Sequence, residues 1–187
     1  MIKLGAEELR ITPPGPGELE KIKRNPIIFV LDEILDTFNI GSMFRLADAL
    51  AVEKIYLCGA METPPSSRIH KAAVGTENWV PWEKVDQVEQ VVQVLKNEGV
   101  YTIAIEQDRR STDYRLLTTH LAGGQADKIK FPVALILGHE TKGVSAEVLG
   151  EVDKIVELPM FGVNKSFNVW GSAAVVGYKL IEVLDQE

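Results

Sequence analysis

The stretch ELPMFGVNKSFNVWGSAAVVGYKL, residues 157–180, begins like a β-strand and ends like a buried helix. Apolar residues occur on nearly every side of its last part, which predicts a helix from about Phe167 to Leu184 inside the protein. Three polar residues, Asn164, Ser166 and Asn168, stand where this helix begins. A helix needs only one capping side chain, and either Asn164 or Ser166 suits that role. The set therefore exceeds what capping requires and indicates a functional site.

Strand-like and helix-like segments alternate through the rest of the chain. Apolar runs rich in β-branched residues predict strands at Asn25–Asp32, Lys54–Gly59, Tyr101–Gln107, Pro132–Gly138 and Lys154–Met160. Helical spacing of apolar residues predicts further helices over 39–51 and Glu83–Glu98. Residues 61–82 are polar and marked by prolines, so we expect an irregular segment there. This order predicts an α/β domain whose mainly parallel sheet is covered by helices on both faces.

One domain accounts for most of the 187 residues. Residues 1–24 are rich in proline and glycine, so we expect a loosely ordered arm that leads into a domain at 25–187. No apolar run reaches the ~20 residues that cross a bilayer, and the N-terminus has no hydrophobic signal core. We therefore expect a cytoplasmic protein that does not associate with a membrane.

Neither a metal site nor a disulfide is expected. Cys58 is the single cysteine and lies in a strand-like run, where a small buried apolar side chain fits better than a nucleophile. His70, His120 and His139 are scattered and lack the spacing of metal ligands.

The net charge of −7 excludes a broad, sequence-independent grip on nucleic acid, because that requires a basic surface. A local basic patch remains compatible with this charge, and basic residues do gather in 68–71 and 108–110. Solvated loop charge is the simpler explanation of both groups.

Polar residues follow three of the predicted strands, at the edge of a parallel sheet where ligands gather. After the first strand, Asn39 suits a helix cap and Arg45 suits a surface ion pair with Asp48. Gly41 in the same turn allows the backbone to approach an anion. Each residue has an ordinary explanation, so this turn alone is weak evidence for a site.

The turn after the fourth predicted strand places Gly138 and Gly143 at the spacing of a phosphate-binding P-loop. That motif requires Lys and then Ser or Thr directly after the second glycine, whereas Val144 and Ser145 follow here. A P-loop is therefore excluded. Glu140 remains, either as a solvated residue of a tight turn or as part of a site.

The closing helix carries a row of apolar residues that would let another helix approach closely: Ala173, Gly177, Leu180 and Leu184. That row packs either inside the same chain or against a second copy of it. The pattern alone leaves both arrangements open.

Taken together, the three turns resemble the motifs of the SpoU (TrmH-like) RNA methyltransferases, a family of the SPOUT superfamily. NIGSMFRLADAL resembles motif 1, N-x-G-x-x-x-R-x-A, and LILGHETKGVS resembles motif 2, L-x-L-G-x-E-x-x-G-hydrophobic-S. ELPMFGVNKSFNVWGSAA resembles motif 3, I-P-M-x-G-x-x-x-S-L-N-V-S-x-A. Order and spacing fit from Asn25 to the C-terminus. Phe167, Trp170 and Gly171 depart from the motif 3 pattern, which puts the details of packing at that position in doubt.

The resemblance implies an α/β domain whose C-terminal part is threaded into a deep trefoil knot, which general rules of chain connectivity would not predict. It implies S-adenosylmethionine as methyl donor and a homodimer whose closing helices pack together. The implied reaction is methylation of a ribose 2′-hydroxyl in tRNA or rRNA. We expect no separate RNA-binding domain, and together with the acidic balance this favours tRNA.

The same resemblance assigns roles to individual residues. At the catalytic motif positions, Arg45 matches the arginine at the reaction centre and Asn39 matches the asparagine that supports it. Glu140, Ser166 and Asn168 match the remaining catalytic positions. The cofactor would be bound by main chain near Ile105, Gly138, Leu158, Ser166 and Phe167. The RNA would contact Arg45, Arg68, Lys71 and Lys165.

Arg45 has two conceivable roles in such a reaction. The family's arginine is proposed to help remove the proton of the ribose hydroxyl, yet a guanidinium holds its own proton above ~pH 12. We therefore expect Arg45 to orient the ribose and a phosphate and to stabilise developing alkoxide charge. A general-base role stays an open hypothesis.

Two rival functions belong to other classes. The first is a non-catalytic RNA-binding or assembly protein that keeps the fold, against which the intact motif residues count. The second is a flavodoxin-like nucleotide-binding module, which the missing glycine-rich phosphate loop after the first strand disfavours.

Overall fold

A seven-stranded sheet lies at the centre of the protein, in a computed structural model that describes residues 3–118 and 127–186. The strands are β1 Asn25–Asp32, β2 Val52–Cys58, β3 Trp82–Val85, β4 Tyr101–Ile105, β5 Thr112–Asp113, β6 Leu117–Thr118, β7 Asp127–Lys128, β8 Val133–Leu137 and β9 Lys154–Glu157. The helices are α1 Ala6–Ile11, α2 Thr37–Ala49, α3 Ser67–Ala73, α4 Val88–Asn97, α5 Ala146–Glu151 and α6 Val169–Leu184. Strands β6 and β7 pair with each other in a separate two-stranded sheet.

The strand order is β3-β2-β1-β8-β4-β9-β5, and every neighbouring pair is parallel. Leu31 of β1 is in register with Leu137 of β8, and Ile105 of β4 is in register with Val156 of β9. The carboxyl ends of β1, β8, β4 and β9 therefore open at one edge of the sheet, called the carboxyl edge below. The predicted parallel α/β architecture is confirmed, and the loops that carry the polar residues lie side by side.

Helices cover both faces of the sheet, as the sequence predicts. Successive side chains of a strand point to opposite faces, and in β1 they reach two different cores. Phe29 packs in the core beneath α2, α3 and α6, whereas Val30 packs in the core beneath α4 and α5. Because both faces of the sheet are buried, the sequence of β1 is a continuous apolar run and does not alternate between apolar and polar residues.

The apolar row of α6 packs inside the chain. Ala173 and Leu180 are fully buried in the core of the α2 face. A Cβ added to Gly177 would lie 2.6 Å from the Leu50 Cδ1 atom, so the missing side chain lets α6 approach the end of α2. Of the two arrangements left open by the sequence, the structure therefore selects the intrachain core for this row.

The segment 61–82, predicted to be irregular, contains helix α3 and contributes to the core. Ser66 caps α3, and its Oγ accepts a hydrogen bond from the Ile69 N–H at 3.3 Å. Ile69 and Ala73 are fully buried, because they lie against α2 where Gly41 permits a close approach. The prediction was wrong because the prolines lie outside α3, and the helix itself carries Ile69 and Ala73 at helical spacing among its exposed polar residues.

The predicted helix Glu83–Glu98 starts late, at Val88. Residues 82–85 instead extend the sheet as β3, in which Trp82 is in register with Ile55 of β2. Main-chain pairing to an open sheet edge is a tertiary effect that the apolar spacing of 85–95 does not reveal. The ends of the other predicted elements agree within about three residues, and β1 coincides with its prediction.

The proline-rich N-terminal segment is docked on the domain rather than loosely ordered. It forms the short helix α1, and the Thr12 carbonyl accepts a hydrogen bond from the Trp79 indole N–H at 3.2 Å. The Arg24 guanidinium donates to the carbonyl oxygens of Val52 and Trp79. The boundary between an arm at 1–24 and a domain at 25–187 stays a prediction.

A separate observation concerns membranes. Among the described residues, no helix combines the length and the apolar character that crossing a bilayer requires.

The contact between α2 and α3 yields a stability prediction. A Cβ at Gly41 would lie 2.7 Å from the Ile69 carbonyl oxygen and 2.8 Å from the Ala73 nitrogen. We expect Gly41→Ala to lower the free energy of unfolding by about 1–3 kcal/mol, because these backbone atoms must move apart. Chemical denaturation of both proteins measures this difference.

Gly150→Ala is the matched control for this prediction. Gly150 also lies in a helix, but its Cβ would meet nothing within 4 Å. Alanine there is expected to be neutral or to stabilise by up to about 1 kcal/mol. Equal stability of the Gly41→Ala variant and the control would contradict the close approach of α2 and α3.

Candidate functional site

A cavity of about 510 Å³ lies at the carboxyl edge of the sheet. Its walls come from the end of β4, the loop between β8 and α5, and the loop between β9 and α6. The positions assigned to the cofactor all line it: Ile105, Gly138, Leu158, Ser166 and Phe167. The sequence thus identified residues that the fold gathers around one cavity, here called the first cavity, although they lie up to 62 positions apart.

Three polar side chains connect the loops of the carboxyl edge by hydrogen bonds. The Asn39 amide nitrogen donates to Glu140 Oε1 at 3.0 Å. The Asn39 amide oxygen accepts from the Asn168 amide nitrogen at 3.2 Å. Asn39 is only 4% exposed, so its amide is a buried link between residues about 100 positions away in the chain. We call Glu140, Asn39 and Asn168 the polar network.

Glu140 is held in place by the start of the segment that leads into α2. Its carboxylate accepts hydrogen bonds from the backbone N–H groups of Leu35 at 3.2 Å and Asp36 at 3.0 Å. Burial raises the pKa of Glu140, but the hydrogen bonds from Asp36, Asn39 and Leu35 outweigh it and leave the pKa below its ordinary value. The carboxylate is therefore an ionised structural acceptor and not a solvated residue of a turn.

The helix caps differ from the sequence prediction. Asp36 caps α2, since its Oδ1 accepts from the Phe38 N–H at 2.8 Å, whereas Asn39 lies inside the helix. Asn168 caps α6, since its Oδ1 accepts from the Trp170 N–H at 3.0 Å. Ser166 caps no helix. Its own backbone N–H donates a hydrogen bond to the side-chain oxygen of Asn164 at 3.2 Å. One side chain, Asn168, thus serves as both cap and network member.

Arg45 lies outside the first cavity, on the exposed surface of α2. Within residues 3–118 and 127–186 it makes no hydrogen bond or ion pair, so the surface pair with Asp48 does not form. Asn39 bonds to Glu140 and Asn168 rather than to Arg45. Arg45 follows Asn39 by six positions in α2, which corresponds to about 9 Å along the helix axis.

The other residues assigned to RNA contact lie in two places. Arg68 and Lys71 are exposed on α3, away from the first cavity. Lys165 lines the first cavity, and its carbonyl oxygen accepts a hydrogen bond from the Gln107 side chain. The structure therefore brings Lys165, but neither Arg68 nor Lys71, together with the predicted cofactor positions.

Glu106, at the end of β4, is a site residue that the sequence reasoning missed. Its Oε2 accepts from the Val144 N–H at 2.9 Å, and its Oε1 accepts from the Gln107 N–H at 2.9 Å. Gly143 has a φ of +71°, and a Cβ there would lie 2.1 Å from Glu106 Oε2, so the carboxylate occupies the space of the missing side chain. Glu106 therefore holds the loop between β8 and α5. A carboxylate directly after a strand at the carboxyl edge was the available signal.

Two further groups near the carboxyl edge have shifted pKa values. Burial, helped by the nearby carboxylates of Glu33 and Glu89, raises the pKa of Asp32 to about 6. Burial also raises the pKa of Cys58 to about 12, so its thiol remains protonated at neutral pH. No group of three or more potential metal ligands occurs in the described part of the chain, and His120 lies outside it.

The known proteins that are similar to this chain identify its family. A model of the SpoU rRNA Methylase family matches residues 26–178. The chain belongs to this family. The match contains all three motif turns and the whole polar network of this SpoU family member.

Individual relatives share about a quarter of their residues with this SpoU family member. A tRNA (guanosine(18)-2′-O)-methyltransferase of Aquifex aeolicus is 29% identical over 86% of the chain and 71% of its own length. A putative TrmH family tRNA/rRNA methyltransferase of Bacillus subtilis is 26% identical over 86% of the chain, which spans 60% of that relative's length.

A solved structure shows the same fold. The crystal structure of the SpoU methyltransferase AviRb from Streptomyces viridochromogenes, in complex with the cofactor AdoMet, superposes with a TM-score of 0.74 at 20% identity. The superposition covers 91% of this chain and 66% of the AviRb chain. At this identity the similarity establishes a common fold.

The polar network predicts a pH-dependent stability. The folded protein depresses the pKa of Glu140, so ionised Glu140 stabilises it above the ordinary pKa of 4.5, and this contribution disappears as the pH falls through the lower folded-state value. We expect Glu140→Gln to lower the melting temperature at pH 7 and to have a shrinking effect below about pH 4.5. Thermal melts across this pH range measure the difference.

Glu53→Gln serves as the control, because Glu53 is an exposed carboxylate of β2 outside the network. It should leave the melting temperature nearly unchanged at every pH. A Glu140→Gln variant as stable as the wild type at pH 7 would contradict the structural role of this carboxylate.

Proposed function

We propose that this protein transfers a methyl group from S-adenosylmethionine to a ribose 2′-hydroxyl of tRNA or rRNA, with tRNA as the favoured substrate. The observation that carries the proposal is the polar network, in which Asn39 of motif 1 bonds to Glu140 of motif 2 and Asn168 of motif 3, two residues that line a single cavity in a member of the SpoU family. The names of the Aquifex aeolicus and Bacillus subtilis relatives support the RNA class.

The first cavity suits S-adenosylmethionine in size and in chemistry. Its 510 Å³ falls within the range of about 300–1,000 Å³ of small-molecule sites. Ile105, Leu158 and Phe167 offer apolar surface for an adenine ring. Three carboxylates, of Glu106, Glu140 and Glu157, and the two lysines Lys142 and Lys165 line the cavity, so a ligand that carries charges of both signs finds partners there. The bound cofactor would supply an electrophilic methyl group on a sulfonium sulfur.

Backbone at the first cavity is positioned to read such a ligand. A Cβ at Gly138 would lie 2.3 Å from the Val144 nitrogen, so only glycine lets the loop turn back on itself there. Glu106 holds the far side of that loop through the Val144 N–H. We therefore propose Gly138 and Ser166 as main-chain contacts of the cofactor and Glu106 as a positioning residue.

The ribose oxygen would form a bond to the methyl carbon as the carbon–sulfur bond of the cofactor breaks and its electron pair stays on sulfur. The hydroxyl proton would pass to solvent. Of the proposed catalytic residues, Glu140, Ser166 and Asn168 line the cavity where the ribose would enter, and Asn39 holds Glu140 and Asn168 in place by hydrogen bonds. The exposed Ser166 hydroxyl is available for a hydrogen bond to the ribose.

Arg45 is proposed to bind the RNA at this edge. Its guanidinium has no partner within the described residues, so its five donors are free for a phosphate and the ribose. Charge-assisted hydrogen bonds of this kind strengthen as negative charge develops on the attacking oxygen. Its surroundings on the exposed face of α2 contain no feature that would let it act as a base near neutral pH.

We also propose the homodimer and the trefoil knot of the wider family for this chain. Trp170 and Tyr178 of α6 are 42% and 58% exposed, although Ala173 and Leu180 of the same helix are buried in the core. These exposed aromatic side chains, together with the exposed Phe167, suit contact with a second copy. A monomer in sedimentation equilibrium at micromolar concentration would contradict the dimer. A crystal structure that traces residues 138–170 continuously tests the threading.

The cytoplasm is the proposed location, because tRNA and rRNA are abundant there. Cell fractionation with an antibody tests this. A non-catalytic member of the fold is the second candidate, and cofactor binding separates it from the enzyme.

Isothermal calorimetry tests the cofactor directly. We expect the wild type to bind S-adenosylmethionine and Glu106→Gln to bind it about tenfold more weakly, because the amide loses the charge-assisted bond to the Val144 N–H. Glu147→Gln, which changes an exposed carboxylate of α5, should bind like the wild type. Failure of the wild type to bind the cofactor would overturn the proposed function.

Transfer of a labelled methyl group to RNA from cells lacking the protein tests Arg45. We expect Arg45→Lys to keep the charge but to lose turnover about 100-fold, because lysine cannot form the bidentate contact. Arg10→Lys, on the exposed surface of α1, is the control and should retain full activity. Full turnover of Arg45→Lys would exclude both the orienting and the general-base role.

A further inference from the structure

A second cavity of about 480 Å³ lies apart from the first and shares no lining residue with it. Its walls are the segment 64–67 before and at the start of α3, His70 in that helix, residues 77–78, and Trp82 at the start of β3. None of the residues assigned to the methyl transfer lines it. The second cavity therefore requires its own explanation.

The buried carboxylate of Glu77 contacts the histidine that lines this cavity and orients its ring. The Glu77 side chain is 6% exposed, and its Oε1 lies 2.5 Å from His70 Nδ1. Within the described residues, Glu77 Oε2 is a buried oxygen with no hydrogen-bond partner. Burying a carboxylate in this way is unfavourable unless a neighbour compensates it, and His70 Nδ1 is the polar atom in contact with this one. The pair thereby fixes the ring and leaves Nε2 as the nitrogen available to a ligand.

The remaining lining residues of the second cavity are both apolar and polar. Trp82 is half-buried, and Pro64 and Pro65 line the cavity with it. Asn78 and Ser67 add exposed polar side chains. The Ser66 hydroxyl is already used, since it caps α3 and donates to Glu62. An aromatic ring and hydrogen-bonding groups around one cavity match a nucleobase, which stacks by its face and is recognised along its edge.

Positive charge lies at the rim of the second cavity. Ser67 and Lys71 are four residues apart on α3 and so occupy the same face of the helix. The Lys71 ammonium is exposed and forms no ion pair in the parts of the chain that the structure describes. A phosphate next to a bound base would contact this ammonium group. An aromatic ligand without a phosphate would not.

The second cavity is connected to the helix that carries Arg45. The Trp82 ring packs edge-on against Phe44, with ring centroids 6.5 Å apart, and Phe44 directly precedes Arg45. Helix α3, which carries His70 and Lys71, packs on α2 at Gly41. Arg45 and Lys71 therefore belong to two helices that pack together on the same face of the sheet, and we infer that one RNA strand contacts both.

We propose that the second cavity binds one unpaired nucleobase of the RNA substrate. The base stacks on Trp82, its edge bonds to His70 Nε2, and the adjoining phosphate contacts Lys71. This proposal rests on the proposed function for the identity of the RNA, but its chemistry is separate from the methyl transfer.

The first experiment uses nuclear magnetic resonance on the full chain with the four nucleoside 5′-monophosphates as probes. The tryptophan indole signals are followed together with the His70 ring signals, and Trp82→Phe identifies the Trp82 signal. We expect the signals of Trp82 and His70 to shift with at least one nucleotide and not with inorganic phosphate. No shift with any nucleotide, or an equal shift with phosphate alone, overturns the nucleobase site.

The second experiment measures methyl transfer to RNA from cells lacking the protein. Ser67→Trp places a large side chain in the cavity from an exposed position, so the fold is expected to persist, as circular dichroism can verify. We expect the KM for RNA to rise about tenfold for Ser67→Trp and Lys71→Ala, while kcat and cofactor affinity stay unchanged. Lys130→Ala, an exposed lysine outside this cavity, is the control.

The two arms separate the inference from the proposed function. Methyl transfer with an unchanged KM in folded Ser67→Trp would overturn the second site and leave the enzyme intact. Nucleotide binding at Trp82 without methyl transfer by the wild type would overturn the proposed function and leave the nucleobase site standing.

Discussion

The buried amide of Asn39 is the contact on which the carboxyl edge depends. An amide is the side chain that donates with one atom and accepts with the other, so it can join a carboxylate to a second amide. Here it joins Glu140 to Asn168 and thereby fixes three loops against one another. Because Asn39 is almost fully buried, the loss of either partner leaves a polar atom without water or protein to bond.

The parallel sheet makes this contact possible. Strand β8 lies between β1 and β4, so the chain enters its last strands at the middle of the sheet and not at its rim. The loops after β1, β8 and β9 then emerge at the same edge, each with one network residue. The end of β4 supplies Glu106, whose carboxylate fills the space left by Gly143 and orders the neighbouring loop.

Helix α2 connects the two cavities of the protein. Its first turns carry Asn39, which bonds to two residues that line the first cavity, and its middle carries Phe44, which touches Trp82 at the second. Arg45 is exposed between these points. The close contact of α2 with α3 at Gly41 therefore sets the distance between the two candidate binding places, and a shift of either helix would change both.

The sequence by itself determined the parallel α/β architecture and both ends of strand β1. It also identified residues that surround the first cavity. Apolar periodicity and motif spacing suffice for these features, because they are local or additive signals. Only the tertiary structure decided that Asp36 and Asn168 are the caps, that Asn39 bonds to Glu140 and not to Arg45, and that 61–82 holds a core helix. The pairing of Glu77 with His70 was likewise invisible, and the place of Glu106 beside a strand end did not reveal its bond to the Val144 N–H. These features depend on contacts between distant residues, and a linear pattern does not record which side chain meets which.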